Sequence, residues 1–267
     1  MIHEAAWPEG TPVWVDLMVP DRHAAMTFYG TLFGWDYDEG GPEIGYYTTA
    51  RRHGQPVAGI GEPMPGTQAP PPMWTTYLAV DDADVVAERA TAAGATVLLE
   101  PMSVLELGRM AVLADPAGAV VGLWQAGQHT GANLVNEPGA LIWNEGLSHD
   151  LAAARRFYGA VFGYAFDDMS GPGFEYAAAT INDSMVAGLG GTGSLPDDAP
   201  PHWQVYFAVA DTDTATARAV ELGATVLAGP RETPYGRQCV LTGPAGEQFT
   251  VMSTDEPESA DPVADTG

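Results

Sequence analysis

The alternation of apolar and polar residues from Val13 to Val19 predicts a β-strand with Trp14 and Asp16 on the face opposite its valines. An apolar stripe with helical spacing follows this strand. Asp21 precedes the stripe in the position of an N-cap, and Gly34 follows it where a left-handed residue commonly ends a helix. The pattern therefore predicts a strand, then a capped amphipathic helix that stops at the glycine.

The chain contains an internal repeat, which shows that this pattern is not isolated. Phe28-Tyr29-Gly30 returns 129 positions later as Phe157-Tyr158-Gly159, and Gly94-Ala95-Thr96 returns as Gly223-Ala224-Thr225. Proline- and glycine-rich loops at 61–72 and 190–201 divide each repeat again into two similar halves. Each half has the order strand, helix, three strands. The sequence therefore predicts an α+β fold of four βαβββ units arranged as two tandem domains.

The repeat also sets the expected domain boundaries. We expect an N-terminal segment at 1–11, a first domain at 12–125 and a second domain at 140–253. Residues 126–139 are polar and contain glycine, as a linker does, so His129 is expected at the surface. Residues 254–267 are acidic and almost free of large apolar side chains, which predicts a disordered tail.

Composition and charge exclude several classes of function. Acidic residues outnumber basic ones 35 to 10, and a formal net charge of −25 opposes binding to nucleic acid or to an anionic membrane. The sequence has no lysine for Schiff-base or P-loop chemistry, and its one cysteine allows no intrachain disulfide. No run of apolar residues is long enough to cross a bilayer. We expect a cytoplasmic protein, and the sequence leaves monomer and homodimer open.

Three recurring segments carry a resemblance to a known family. They are the strand-to-helix entries MVPDRHAAMTFYGTLFGW and LSHDLAAARRFYGAVFGY, the segments YLAVDDADVVAERATAAGATV and YFAVADTDTATARAVELGATV, and the closing DPAGAVVGLW and GPAGEQFTVM. In this order they resemble the vicinal oxygen chelate superfamily, which includes glyoxalase I, bleomycin-resistance proteins and extradiol dioxygenases. The resemblance implies that two βαβββ units pair in each domain and form an open cup.

Metal-using members of that family place ligands on the first and last strand of each unit. The corresponding positions here are Trp14, Thr75, Trp143 and Gln204 on the first strands, and Gly59, Gly122, Gly188 and Thr250 on the last strands. This set lacks the His and Glu ligands that a divalent metal needs. If the strand register were shifted by one residue, a tryptophan would occupy a ligand position, which would not restore the metal site. We therefore expect no metal and no other cofactor.

The strand alternation gives each cup a set of candidate functional residues. The candidate catalytic residues are Asp16, Glu145 and His202, the last of them at the rim of the second cup. The candidate substrate-binding residues are Trp14, Tyr77, Trp124, Trp143, Gln204, Tyr206 and Met252. Aromatic walls over glycine floors suit a flat aromatic or polycyclic ligand. The alternative is that the tryptophans simply fill the cups as core residues.

The carboxylates in the two cups, Asp16 and Glu145, bear on the function of the protein. A carboxyl beside tryptophan is desolvated, so it can exchange protons near neutral pH. Asp16 is the stronger candidate, because Asn144 and Gly146 weaken the alternation around Glu145. The first hypothesis is a metal-independent enzyme that cyclises, dehydrates or opens an aromatic or polycyclic secondary metabolite. The second is a resistance protein that sequesters an antibiotic, and the third is a metal-dependent glyoxalase or dioxygenase.

Two further residues, Arg109 and Arg237, occupy equivalent positions in the repeats. We expect each of them to pair with surface carboxylates, and anion binding is the alternative.

Overall fold

The computed structural model describes residues 2, 5–63 and 71–253. The segment 254–267, expected to be a disordered tail, lies outside the described residues, as does part of the first proline-rich loop. Within the described residues the chain forms two eight-stranded sheets, one for each tandem repeat. The α+β fold class predicted from the sequence is confirmed.

The first domain contains two βαβββ units in chain order. Its elements are β1 (Pro12–Met18), α1 (Arg22–Phe33), β2 (Asp36–Glu39), β3 (Thr48–Arg52), β4 (Gln55–Gly61), β5 (Met73–Ala79), α2 (Ala83–Ala92), β6 (Thr96–Val104), β7 (Gly108–Ala114) and β8 (Val120–Ala126). A short 3-10 turn, Pro42–Ile44, lies between β2 and β3.

The second domain repeats this order. Its elements are β9 (Leu141–Leu147), α3 (Leu151–Phe162), β10 (Ala165–Asp168), β11 (Tyr176–Ile181), β12 (Ser184–Gly190), β13 (His202–Ala208), α4 (Thr212–Glu221), β14 (Thr225–Thr233), β15 (Gly236–Thr242) and β16 (Gln248–Ser253).

The first strands of the two units join each sheet at its centre. The strand order is β2-β3-β4-β1-β5-β8-β7-β6 in the first sheet and β10-β11-β12-β9-β13-β16-β15-β14 in the second. The central pairs β1/β5 and β9/β13 are antiparallel, whereas the first strand of each unit runs parallel to its last. Helix α1 begins and ends as predicted: the Asp21 carboxylate accepts the Ala24 N–H at 2.9 Å, and Gly34 has φ 68°.

The faces that carry the helices pack the two domains against each other. The first unit shares a hydrophobic core with the fourth, where the rings of Phe33 and Phe207 lie 5.0 Å apart. The second unit shares a core with the third in the same way. Each sheet therefore buries one face between the domains, and the opposite face is the cup.

Two equivalent hydrogen-bond chains cross this interface. Trp74 Nε1 donates to the Tyr29 hydroxyl at 3.0 Å, and that hydroxyl donates to Glu247 Oε1 of the other domain at 2.8 Å. In the second chain, Trp203 Nε1 donates to Tyr158, which donates to Asp115. Burial raises the pKa of both carboxyls. Each tyrosine hydroxyl therefore satisfies one buried donor and one buried acceptor.

We expect Tyr29→Phe to lower the free energy of unfolding by about 2–5 kcal/mol, because it leaves both Trp74 Nε1 and Glu247 Oε1 without a partner. Urea unfolding measures this loss. The matched control is Tyr46→Phe, since Tyr46 is 53% exposed and its replacement should change stability by less than about 0.5 kcal/mol. Equal stabilities of the two variants would contradict the role given to the Tyr29 hydroxyl.

Candidate functional site

The strand register places the candidate residues of the first domain on one face. Trp14 lies opposite Tyr77, and Asp16 lies opposite Thr75 and beside Gly59. Directly paired residues of neighbouring strands point to the same side of a sheet. This face is the first cup.

The carboxylate of the first cup is held by two tyrosines. Asp16 Oδ2 accepts from the hydroxyls of Tyr77 at 3.1 Å and Tyr47 at 3.4 Å, and Trp14 Nε1 donates to the Tyr47 hydroxyl at 2.8 Å. Oδ1 of Asp16 is buried without a hydrogen-bond partner among the described residues. Burial raises the pKa of Asp16 to about 7, although both tyrosine hydrogen bonds act in the opposite direction.

The segment between the domains closes the first cup. The His129 ring stands edge-on to Trp14 at 4.4 Å and to Trp124 at 5.5 Å, and Trp124 Nε1 donates to the His129 carbonyl at 2.8 Å. Ala132 packs into the same cluster and is 1% exposed. Burial lowers the pKa of His129 to about 4. His129 is thus half-buried against the first cup and is not the solvated surface histidine that was expected.

The closure of the first cup also changes which carboxylate, Asp16 or Glu145, is the better candidate for a residue that contacts a ligand. Trp14, Tyr77 and Trp124 are 4–7% exposed and Asp16 is 6% exposed, so the first cup presents little of its surface to a ligand. The preference for Asp16 over Glu145 as the pocket residue is corrected by this packing. In the first cup the tryptophans act as core residues.

The second cup contains the same network in a more open form. Glu145 lies opposite Gln204 and beside Gly188, and Trp143 lies opposite Tyr206. Glu145 Oε1 accepts from the Tyr176 hydroxyl at 2.7 Å, and Oε2 accepts from the Tyr206 hydroxyl at 2.6 Å. Trp143 Nε1 donates to Tyr176 at 3.2 Å. Both carboxylate oxygens are therefore held in place.

Exposure distinguishes the second cup from the first. Trp143 and Glu145 are half-buried, whereas the equivalent Trp14 and Asp16 are buried. The tyrosines do not differ between the cups, because Tyr47 and Tyr176 are both half-buried, and Tyr77 and Tyr206 are 5% and 6% exposed. Burial raises the pKa of the Glu145 carboxyl, and the hydrogen bonds from Tyr206, Tyr176 and Trp143 partly offset this effect. The second cup thus combines a solvent-accessible aromatic surface with a carboxyl that binds its proton more tightly than usual.

The remaining candidates line the same face. His202 is half-buried, with Nδ1 2.9 Å from the Pro200 carbonyl and Nε2 3.3 Å from Gln204 Oε1. Gln204 Nε2 donates to Thr250 Oγ1 at 3.1 Å. Met252, 6% exposed, lies beside Ala208. His202 makes no hydrogen bond with Glu145 among the described residues, so the two do not form a direct catalytic pair.

The donor positions implied by the family do not fit a divalent metal. In the second cup Gln204 and Thr250 bond to each other, and a Cβ on Gly188 would collide with the Tyr176 hydroxyl. In the first cup a Cβ on Gly59 would collide in the same way with the Tyr47 hydroxyl. Over the described parts of the chain no three His, Cys, Asp or Glu side chains cluster as metal ligands would.

Tyr47 and Tyr176 are the functional candidates that the strand pattern missed. They lie at the start of β3 and β11 or just before it, where the sequence shows no clear alternation. The repeat offered a signal, because they are 129 positions apart, as are Asp16 and Glu145. Aligning every titratable residue at that offset would have found both networks.

The described residues include no helix that is both long and apolar enough to span a membrane. The expected arginine pairing is present: Arg109 binds Asp84 and Arg237 binds Asp213 on the surface.

Comparison with known proteins agrees with this architecture. Residues 11–123 match the Glyoxalase/Bleomycin resistance protein/Dioxygenase superfamily, and residues 146–252 match a glyoxalase-like domain. The anthracycline biosynthesis protein DnrV of Streptomyces peucetius is 41% identical, over 92% of this chain and 94% of that protein. "Putative glyoxylase CFP32" of Mycobacterium tuberculosis is 42% identical, over 94% of this chain and 98% of that protein.

Solved structures show the same fold at low sequence identity. The Mn(II)-bound glyoxalase from Novosphingobium aromaticivorans has a TM-score of 0.65 at 18% identity, covering 92% of this chain and 83% of that chain. The 2,2',3-trihydroxybiphenyl 1,2-dioxygenase from Sphingomonas wittichii has a TM-score of 0.64 at 15% identity, covering 92% and 90%. The chain belongs to the glyoxalase/bleomycin resistance/dioxygenase superfamily, with two tandem domains of this fold.

Proposed function

We propose that this protein is a metal-independent enzyme that binds an aromatic or polycyclic secondary metabolite in the second cup and moves a proton with Glu145. The observation that carries the proposal is the half-buried Glu145 carboxylate, held through both oxygens by Tyr176 and Tyr206 beside Trp143. A desolvated carboxyl with a raised pKa is suited to general acid–base catalysis near neutral pH.

The hydrogen bond from Tyr206 to Glu145 supports a route for the proton. The Tyr206 hydroxyl donates to Glu145 Oε2, and its oxygen accepts no hydrogen bond from any described residue. A substrate O–H or acidic C–H placed against that oxygen can lose its proton to Tyr206 while Tyr206 passes its own proton to Glu145. The electron pair of the broken bond stays on the substrate, and the proton on Glu145 returns at another substrate atom. Cyclisation, dehydration and ring opening all belong to this class.

The other side chains of the second cup bind the ligand. Trp143 offers the face of a half-buried ring, and Met252, 6% exposed, lies on the same side of the sheet two strands away. His202 supplies a polar group at the rim, and the buried Gln204 lies next to it, 3.3 Å from His202 Nε2. The named role of DnrV in anthracycline biosynthesis supports an aromatic polycyclic substrate.

The alternative is a protein that sequesters an antibiotic without changing it. The observation that favours it is the accessible Trp143 face, which binds a flat ligand whether or not Glu145 transfers a proton.

A metabolite profile by mass spectrometry, with and without the gene in the source organism, tests the proposal. We expect an intermediate to accumulate and a product to disappear, and the mass difference gives the reaction. An unchanged profile in cells that have become sensitive to their own product would contradict the enzyme and support sequestration.

A further inference from the structure

One row of residues crosses the last three strands of the second sheet on the cup side. Arg231 of β14 lies opposite Gln238 of β15, and Gln238 lies opposite Met252 of β16. Since cross-strand partners point to the same side of a sheet, the Arg231 side chain lies on the face that carries Met252 and the rest of the second cup.

The buried Gln238 amide holds the Arg231 guanidinium through some of its N–H groups and leaves others without a partner among the described residues. With the Gln238 amide oxygen turned towards it, that oxygen accepts from Arg231 Nε at 3.2 Å and Nη2 at 3.0 Å. Gln238 is 8% exposed, whereas Arg231 is exposed. Arg231 forms no ion pair with any carboxylate of the described residues. A buried amide therefore holds the base of the guanidinium, and its other N–H groups remain available.

Most arginines of the described residues do have a carboxylate partner. Arginines at six other positions pair with aspartate or glutamate: Arg22, Arg51, Arg89, Arg109, Arg218 and Arg237. The positive charge of Arg231 instead acts on Glu145 and Tyr206, whose pKa values it lowers against the effect of burial. The second cup thus has a local positive charge at its mouth.

The first sheet lacks this feature at the equivalent place. There Met102 of β6 lies opposite Met110 of β7, which lies opposite Trp124 of β8. The closed cup therefore carries two methionines where the open cup carries Arg231 and Gln238. A guanidinium therefore lies at this place in the cup that a ligand can reach, and a methionine lies there in the cup that is closed.

We propose that Arg231 binds an ionised oxygen of the ligand, so that the second cup selects aromatic compounds that carry a carboxylate or phenolate. This inference rests on the proposed function of the second cup. The planar guanidinium matches such oxygens because it presents parallel N–H donors. Without this cation, the formal charge of −25 would oppose the binding of any anionic ligand.

Two probes of the same shape test the inference: anthraquinone-2-carboxylate and anthraquinone-2-carboxamide. Isothermal titration calorimetry on the full chain at neutral pH measures both affinities. We expect the carboxylate to bind about tenfold more tightly than the amide. The double variant Arg231→Met/Gln238→Met reproduces the methionine pair of the first sheet and should abolish this preference. Arg231→Lys keeps the charge and should retain part of it.

The controls separate this inference from the function on which it rests. Trp143→Ala should weaken both probes equally, which locates them in the second cup. Equal binding of the two probes to the wild type, or an unchanged preference in the double variant, would overturn the role of Arg231 and leave the aromatic site intact. Failure of both probes to bind the wild type would overturn the proposed aromatic site together with this inference.

Discussion

Replacing Glu145 by glutamine is expected to lower the turnover number by a factor of about 10²–10⁴ and to change ligand affinity by less than about threefold. Glutamine keeps the shape of the side chain and can still bond to Tyr176 and Tyr206. It cannot take up a proton, so the route through Tyr206 ends without an acceptor. Steady-state kinetics on the metabolite identified by profiling measures the loss in turnover, and calorimetry measures the affinity.

The matched control is Asp16→Asn, which makes the same chemical change in the equivalent network of the closed first cup. We expect it to retain wild-type turnover, because His129 and Ala132 cover that cup. A loss of turnover in Asp16→Asn alone would transfer the reaction to the first cup. Full turnover in both variants would remove the catalytic assignment, and intact binding would then favour sequestration.

Local patterns and the internal repeat were sufficient to predict the fold. The alternation around Trp14, the Asp21 cap and the Gly34 stop each depend on residues close together in sequence. The repeat then extended that assignment to four units. The same alternation selected Glu145 and Tyr206, and the strand register places Glu145 opposite Gln204 and Tyr206 opposite Trp143.

The difference between the two cups could not be predicted in this way. Residues 126–139 have the composition of a solvated linker, yet Ala132 and Leu134 are buried within it. Ala132 packs in a cluster with Trp14 and Trp124, and Leu134 packs in the core between the domains, neither of which is revealed by a pattern inside the segment. The position of His129 therefore required the three-dimensional structure.

The two repeats carry equivalent hydrogen-bond networks that differ in how well the carboxylate is held. Asp16 and Glu145 each accept from two tyrosine hydroxyls, and a tryptophan N–H supports one tyrosine in each cup. The shorter aspartate has hydrogen bonds of 3.1 and 3.4 Å, whereas the glutamate has bonds of 2.6 and 2.7 Å. The Asp16 carboxyl in the closed cup is therefore held by longer hydrogen bonds than Glu145, and its protonation affects the free energy of unfolding.

The wild type is expected to lose stability relative to Asp16→Asn as the pH rises from about 4 to about 7, by about 1.4 kcal/mol per pH unit. Burial raises the pKa of Asp16 from 3.8 to about 7, so in this window the folded state holds a proton that the unfolded state has released. Raising the pH therefore favours unfolding. The total change is about 4 kcal/mol, and it levels off above the folded pKa.

Urea unfolding of both proteins across this pH range measures the effect as a difference, since the other carboxyls with raised pKa values, Asp115, Glu145 and Glu247, are common to both. Their contributions cancel, and the remaining slope belongs to Asp16. Parallel stability curves would mean that Asp16 is ionised in the folded protein at acidic pH. In that case an unseen donor must satisfy Oδ1, and the first cup would be open to water despite the packing of His129 over it.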